Sequence, residues 1–207
     1  MFELNPKLQI IEESFRDSTI YHMDDFYQNP DKIVSFINNT ECSYHKEGTP
    51  NSYNGIHFED KRHHIDNGMI DHLYDFLSKI CNQPPLSYTF NTNVGKFFDN
   101  PFNDYKNNYW WPHLDMGYTA IVYLNHEEDC GTNLYEGLGT DKRRGVNEHN
   151  APWRPKTSYE LIKSLQPQYN KCVFFDAKKF LHGMNIRNDY FFKDEYRLNH
   201  VMFFREK

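Results

Sequence analysis

Residues 110–125 read WWPHLDMGYTAIVYLN. A His113-x-Asp115 pair is followed at once by aromatic and β-branched residues, a composition that favours an extended strand. Side chains at i and i+2 of a strand project from one face, so His113 and Asp115 can hold one cation together. The same parity puts Thr119 and Tyr123 on that face if no bulge intervenes. The stretch predicts a strand with a pair of metal ligands at its mouth, and two ligands are too few for a tight site.

The triplet recurs as His22-Met23-Asp24 and His64-Ile65-Asp66, and composition alone yields roughly one such match. The first leads into a helix, where Asp24 and Asp25 suit the helix start. The second, beside His63, falls at the start of another helix. Only the triplet at 113–115 opens a strand. Further along, FFDAKKFLHGMNI delivers His182 on a strand with Gly183 after it, far enough away for other strands and a long loop to intervene. His182 is the candidate third ligand. Fifteen residues later RLNHVMFF begins with Arg197. An arginine heading an apolar strand is costly inside a protein unless it meets an anion, and its planar fork suits a carboxylate.

Around these residues the chain divides by period. Asn29 and Pro30 signal a helix start, with Ile33, Phe36 and Ile37 on one face. A second helix is predicted from the spacing of Ile70, Leu73, Tyr74, Leu77 and Ile80. From residue 86 the period shifts towards two, with strands expected in 86–98, 113–125, 132–136, 171–186 and 196–207. Thr157 and Glu160 form a capping box that predicts a short helix ended by Pro167. Residues 137–157 are polar and too long for a routine connection, so they are read as a functional lid or a disordered loop. The expectation is one domain over 1–207: a helical support region in 1–85 and a β core in 86–207. The fold class is α+β, mainly β, closing as a jelly roll.

Composition excludes several classes. A formal charge of −6 weighs against a nucleic-acid partner. No apolar run reaches the ~18 residues that span a bilayer, and the opening MFELNPKLQI lacks the pattern of a secretory signal. The four cysteines, Cys42, Cys81, Cys130 and Cys172, form no CxxC pair and suit reduced thiols of a cytoplasmic protein.

Two histidines and one carboxylate on one face of a metal, with open positions opposite, is the donor set of non-haem Fe(II) oxygenases. In this order and spacing, HLD, IVYLN, CGTNLYE, FLHG and RLNHVMFF resemble the 2-oxoglutarate- and Fe(II)-dependent oxygenases, in their prolyl-hydroxylase-like branch, over about residues 86–205. The resemblance implies a double-stranded β-helix, with His113, Asp115 and His182 as iron ligands. It implies that Arg197 pairs with the distal carboxylate of 2-oxoglutarate, that Tyr123 hydrogen-bonds the same group, and that Thr119 lines the cosubstrate pocket. Implied cofactors are Fe(II), 2-oxoglutarate and O₂. The implied reaction couples oxidative decarboxylation to succinate and CO₂ with hydroxylation of a C–H bond, in a prolyl or other peptide residue or in a small molecule.

The sequence departs from that pattern in places. Cys130 precedes Gly131 where relatives usually have two glycines, Asn199 stands where many have Ser or Thr, and Lys193 competes with Arg197 for the carboxylate. Asp115 speaks against the halogenating relatives, which lack it. Trp110 and Trp111 are read either as a pocket wall or as outer packing, and Lys142, Arg143 and Arg144 as a solvated run or an attractor for an anionic substrate. The competing reading is a cupin-like module that binds metal or ligand without oxygen chemistry.

Overall fold

The computed structural model describes residues 1–39, 43–45, 59–64, 67–81, 92–98, 105–127, 131–141, 153–188 and 197–204. It is mainly β, with antiparallel sheets and two α-helices. Strands β1 (Ile11–Phe15) and β2 (Ser18–Met23) form a hairpin. After helix α1 (Pro30–Asn39) come β3 (Ser43–His45) and β4 (Glu59–His64), then helix α2 (Asp71–Ile80). The remaining described strands are β5 (Thr92–Phe98), β6 (Asn108–Trp110), β7 (Tyr118–Tyr123), β8 (Thr132–Gly137), β9 (Trp153–Pro155), β10 (Tyr159–Leu165), β11 (Cys172–Asp176), β12 (Leu181–Met184) and β13 (Leu198–Phe203).

An eight-stranded sheet has the order β1-β2-β11-β7-β13-β5-β4-β3. A three-stranded sheet has the order β10-β8-β12, and β6 pairs with β9. The alternation along β7 explains the layers. Ala120, Val122 and Leu124 face one way and pack with Phe174, Met202 and the apolar stripes of α1 (Ile33, Ile37) and α2 (Leu73, Tyr74, Leu77). Each such buried side chain contributes about 1.5–3 kcal/mol, so the stripes hold the helices against the sheet. Ile121 and Tyr123 face the other way and pack with Val173, Phe175, Leu165 and Leu134 of the small sheet. The molecule is thus helices on a large sheet on a small sheet, compatible with a β-sandwich.

Both helices lie where the periodicity predicts them. The helix predicted after Thr157 does not form. A short 3-10 turn, Lys156–Ser158, uses up the capping signal, and Tyr159–Leu165 pairs with β8 as an edge strand. Tertiary pairing overrides a two-residue local motif there. The sequence also signals no strand before residue 86, yet β1–β4 all join the large sheet. The triplet at 64–66 begins on the last residue of β4, not at a helix start; Ile65 and Asp66 lie outside the described residues. So do Lys142, Arg143 and Arg144, in the middle of the expected lid. The flanks of that segment are built into the fold: Thr140 donates to Ser158 Oγ at 2.9 Å, and Arg154 is fully buried against Asp141 at 3.3 Å. The described residues contain no helix long and apolar enough to cross a membrane.

Candidate metal centre

His113 and His182 face each other across an isolated antiparallel bridge. Each backbone N–H donates to the other's carbonyl, at 3.0 Å from His113 and 2.8 Å from His182. This bridge continues the small sheet beyond β12 and brings two residues distant in sequence into register. The imidazole centroids are 4.4 Å apart. Asp115, two residues past His113, is fixed by its own N–H donating to Ala177 O at 3.0 Å. Its carboxylate lies 3.2 Å from His182 Nε2 and 3.8 Å from His113 Nε2. The three ligand atoms all lie within 4.8 Å of one another. A metal with bonds of about 2.1 Å sets neighbouring donors about 3 Å apart, so this group can bind a metal ion with little rearrangement. It is the one such group among the described residues.

The imidazoles are oriented by the same local device. His113 Nδ1 lies 2.7 Å from Trp111 O, and His182 Nδ1 lies 3.2 Å from Phe180 O. A carbonyl can only accept, so each Nδ1 carries a proton and each Nε2 is the nitrogen turned towards Asp115 and a metal. Trp111 adopts φ 42°, a left-handed conformation that is costly for a bulky residue. Its ring lies 5.3 Å from that of His113.

Burial pushes the Asp115 carboxyl up. The hydrogen bond and charge of His182, the charge of His113 and the Thr119 hydroxyl outweigh burial and hold it well below the usual carboxylate range. Asp115 is therefore an anion, as a ligand must be. Thr119 Oγ1 donates to Asp115 Oδ2 at 2.7 Å, so it touches the ligand set rather than merely lining a pocket. Leu114 and Met116, on the opposite parity, are exposed.

Deeper in the same layer, Tyr123 donates its hydroxyl to Thr132 Oγ1 at 2.8 Å. Arg197 is buried, its guanidinium carbon 5.7 Å from the centre of the Tyr123 ring. Asn199 stands directly opposite Tyr123 in the β7–β13 register and so shares its face. It is only 2% exposed, and its Nδ2 has no hydrogen-bond partner among the described residues. The sequence marks Asn199 only as a departure from a pattern; its unmatched donor needs coordinates to be seen. The carbonyls behind the imidazoles have a simple signal in retrospect, since each lies two residues before its histidine. Trp110 packs edge-on against Trp153, with ring centroids 5.0 Å apart. Lys193 and Cys130 lie outside the described residues.

The other triplet described at this level is not a ligand group. His22 Nε2 meets Glu13 at 3.0 Å, and Asp24 pairs with Lys171 at 3.2 Å. A scan against models of known protein families found no match, and a search of curated proteins found no relative.

Proposed function

We propose that this protein is a 2-oxoglutarate- and Fe(II)-dependent oxygenase that hydroxylates a C–H bond, built on a double-stranded β-helix. The observation that carries the reading is the convergence of two proton-anchored imidazoles and one ionised carboxylate on a single point. That donor set is the facial triad of non-haem iron oxygenases. From β5 onward the core strands pass back and forth between a four-strand run, β11-β7-β13-β5, and the small sheet, β10-β8-β12 with the His113 segment, β8 and β10 following one another within the small sheet. This supports a jelly-roll winding.

His113, Asp115 and His182 would hold the iron, while Thr119 and the Trp111 and Phe180 carbonyls fix their orientation. The residues deeper in the layer fit a dicarboxylate cosubstrate. Arg197 brings a buried cation, and the unmatched Asn199 Nδ2 is a donor awaiting an acceptor. Tyr123 would turn its hydroxyl from Thr132 to the same carboxylate. When bound, iron and 2-oxoglutarate activate O₂ and oxidise a substrate C–H bond, with succinate and CO₂ as co-products. The apolar layer of Ile121, Leu134, Val173 and Phe175 excludes water behind the site. The substrate class rests on the resemblance: a prolyl or other peptide residue, or a small molecule, acted on in the cytoplasm.

The test is an anaerobic titration of metal-free protein with Fe(II) and 2-oxoglutarate, following the weak visible charge-transfer band of the chelate. The wild type is expected to develop the band, His182→Ala to lose it, and Arg197→Ala to need far more cosubstrate. Metal binding without a band would sink the oxygenase reading in favour of a cupin-like binding module.

A further inference from the structure

A cavity lies on the face of the small sheet that points away from Tyr123. Along β8, Thr132 and Leu134 face Tyr123 and the inner core, whereas Asn133 and Tyr135 face outward by alternation. The outward pair forms the floor of a cavity of about 460 Å³, walled by the chain around β6 and by residues that follow β12. That volume suits a small organic molecule.

Its described lining carries charge of one sign. Lys106, Lys156 and Arg187 border it, and among the described residues no carboxylate does. Elsewhere Arg16, Arg154, Lys163, Lys171 and Lys179 each have a carboxylate partner. The three cavity cations have none among the described residues, and Lys156 sits over the Tyr109 ring at 5.2 Å. In a chain with formal charge −6, three unneutralised cations around one hollow form a local field selective for anions.

The floor adds a directed donor. Tyr135 is 2% exposed, and its hydroxyl accepts from Asn133 Nδ2 at 3.1 Å. Asn133 Oδ1 is already taken by Ser164 at 2.7 Å, so the pair is held rigidly. Burial raises the Tyr135 phenol above its ordinary value, so it keeps its proton. That proton has no acceptor among the described residues. The Tyr109 ring, 4.5 Å from that of Tyr135, and the exposed Leu161 offer apolar surface beside the polar floor.

We propose that this cavity is a binding site, separate from the metal centre, for a small organic anion with a flat apolar body. The anionic group meets Lys156, Arg187, Lys106 and the Tyr135 hydroxyl, while the body packs on Tyr109 and Leu161. Carboxylate and phosphate share this chemistry, and the probes distinguish them. The inference does not depend on oxygenase activity.

The experiment is calorimetric titration of the full chain with benzoate, phenyl phosphate, inorganic phosphate and neutral benzyl alcohol. One or both aromatic anions are expected to bind at least roughly tenfold more tightly than benzyl alcohol and than inorganic phosphate. Whichever anion binds better identifies the head group. Lys156→Gln and Arg187→Gln are each expected to weaken binding by roughly five- to tenfold, and Tyr135→Phe by several-fold. Arg197→Gln should leave it unchanged. Equal binding of benzyl alcohol, no effect of the cavity variants, or loss of binding in Arg197→Gln would each overturn the proposal. A far-ultraviolet circular dichroism spectrum and melting curve for each variant separate lost binding from lost fold.

Discussion

Thr119 shows how one hydroxyl ties strand to site. It lies on β7, on the parity of Asp115, and its hydrogen bond fixes the carboxylate oxygen that also faces His182. Thr119→Val keeps the shape and removes the donor. It is expected to weaken Fe(II) or Co(II) binding by roughly 10- to 100-fold, as loss of such outer partners does, measured by competition against a chromogenic chelator. His200 makes a different prediction. It is fully buried on β13, faces Tyr27, whose hydroxyl meets its Nδ1, and touches the Phe2 ring. The ionisable group that meets it, Tyr27, stays neutral below pH 7, since burial raises it further above its ordinary value. Burial pushes His200 down from 6.5 to about 3. The unfolded chain therefore binds a proton that the folded chain refuses between those values. Stability from the neutral ring is complete above about pH 6.5 and falls as pH drops towards 3, by up to about 1.4 kcal/mol per pH unit. Urea unfolding between pH 5 and 7, above the range of the depressed carboxyls, should show this slope, and His200→Gln should flatten it.

At the scale of elements, legibility followed the strength of periodicity. Both helices could be read because Ile33 and Ile37, or Leu73, Tyr74 and Leu77, repeat at helical spacing and are buried. β7 could be read because every residue from Thr119 to Tyr123 is apolar or β-branched and buried. β1 and β4 could not. IEESF is mostly exposed, and EDKRHH has no apolar residue, so neither carries the apolar alternation that marks a strand. β10 was masked by a cap-like motif. The triad was legible from the i, i+2 spacing of His113 and Asp115, although the strand expected from residue 113 begins at Tyr118 and His113 joins the small sheet through an isolated bridge. The crossing that unites the triad's halves was not legible. That crossing depends on Gly183, where an added Cβ would lie 2.2 Å from Trp110 O and 3.0 Å from Trp111 O. Both obstacles are backbone, so they cannot yield by changing rotamer. Gly183→Ala is expected to cost about 1–3 kcal/mol in denaturant unfolding. It should also weaken metal binding, because the displaced segment carries His113.

Across the whole molecule, the amino-terminal chain is not an appendage. Phe2 is buried in the helix-facing core, Leu4 bridges to Tyr27, and His72 Nε2 lies 2.8 Å from Phe2 O. The hairpin of β1 and β2 widens the large sheet, and Glu13 reaches Lys163 of the small sheet at 2.6 Å. None of this long-range closure has a local signature. The seam between His113 and His182 carries one further consequence. Two candidate metal ligands there are also partners in a backbone ladder only one rung long. An ion that grips both side chains acts as a reversible clasp on that rung, and opening the rung must release the ion. Affinity and breathing are then two views of one equilibrium. Where local opening of the seam exposes these amides, hydrogen exchange at His113 and His182 should slow by the factor 1 + [M]/Kd as metal M is added, while amides distant from the seam keep their rates.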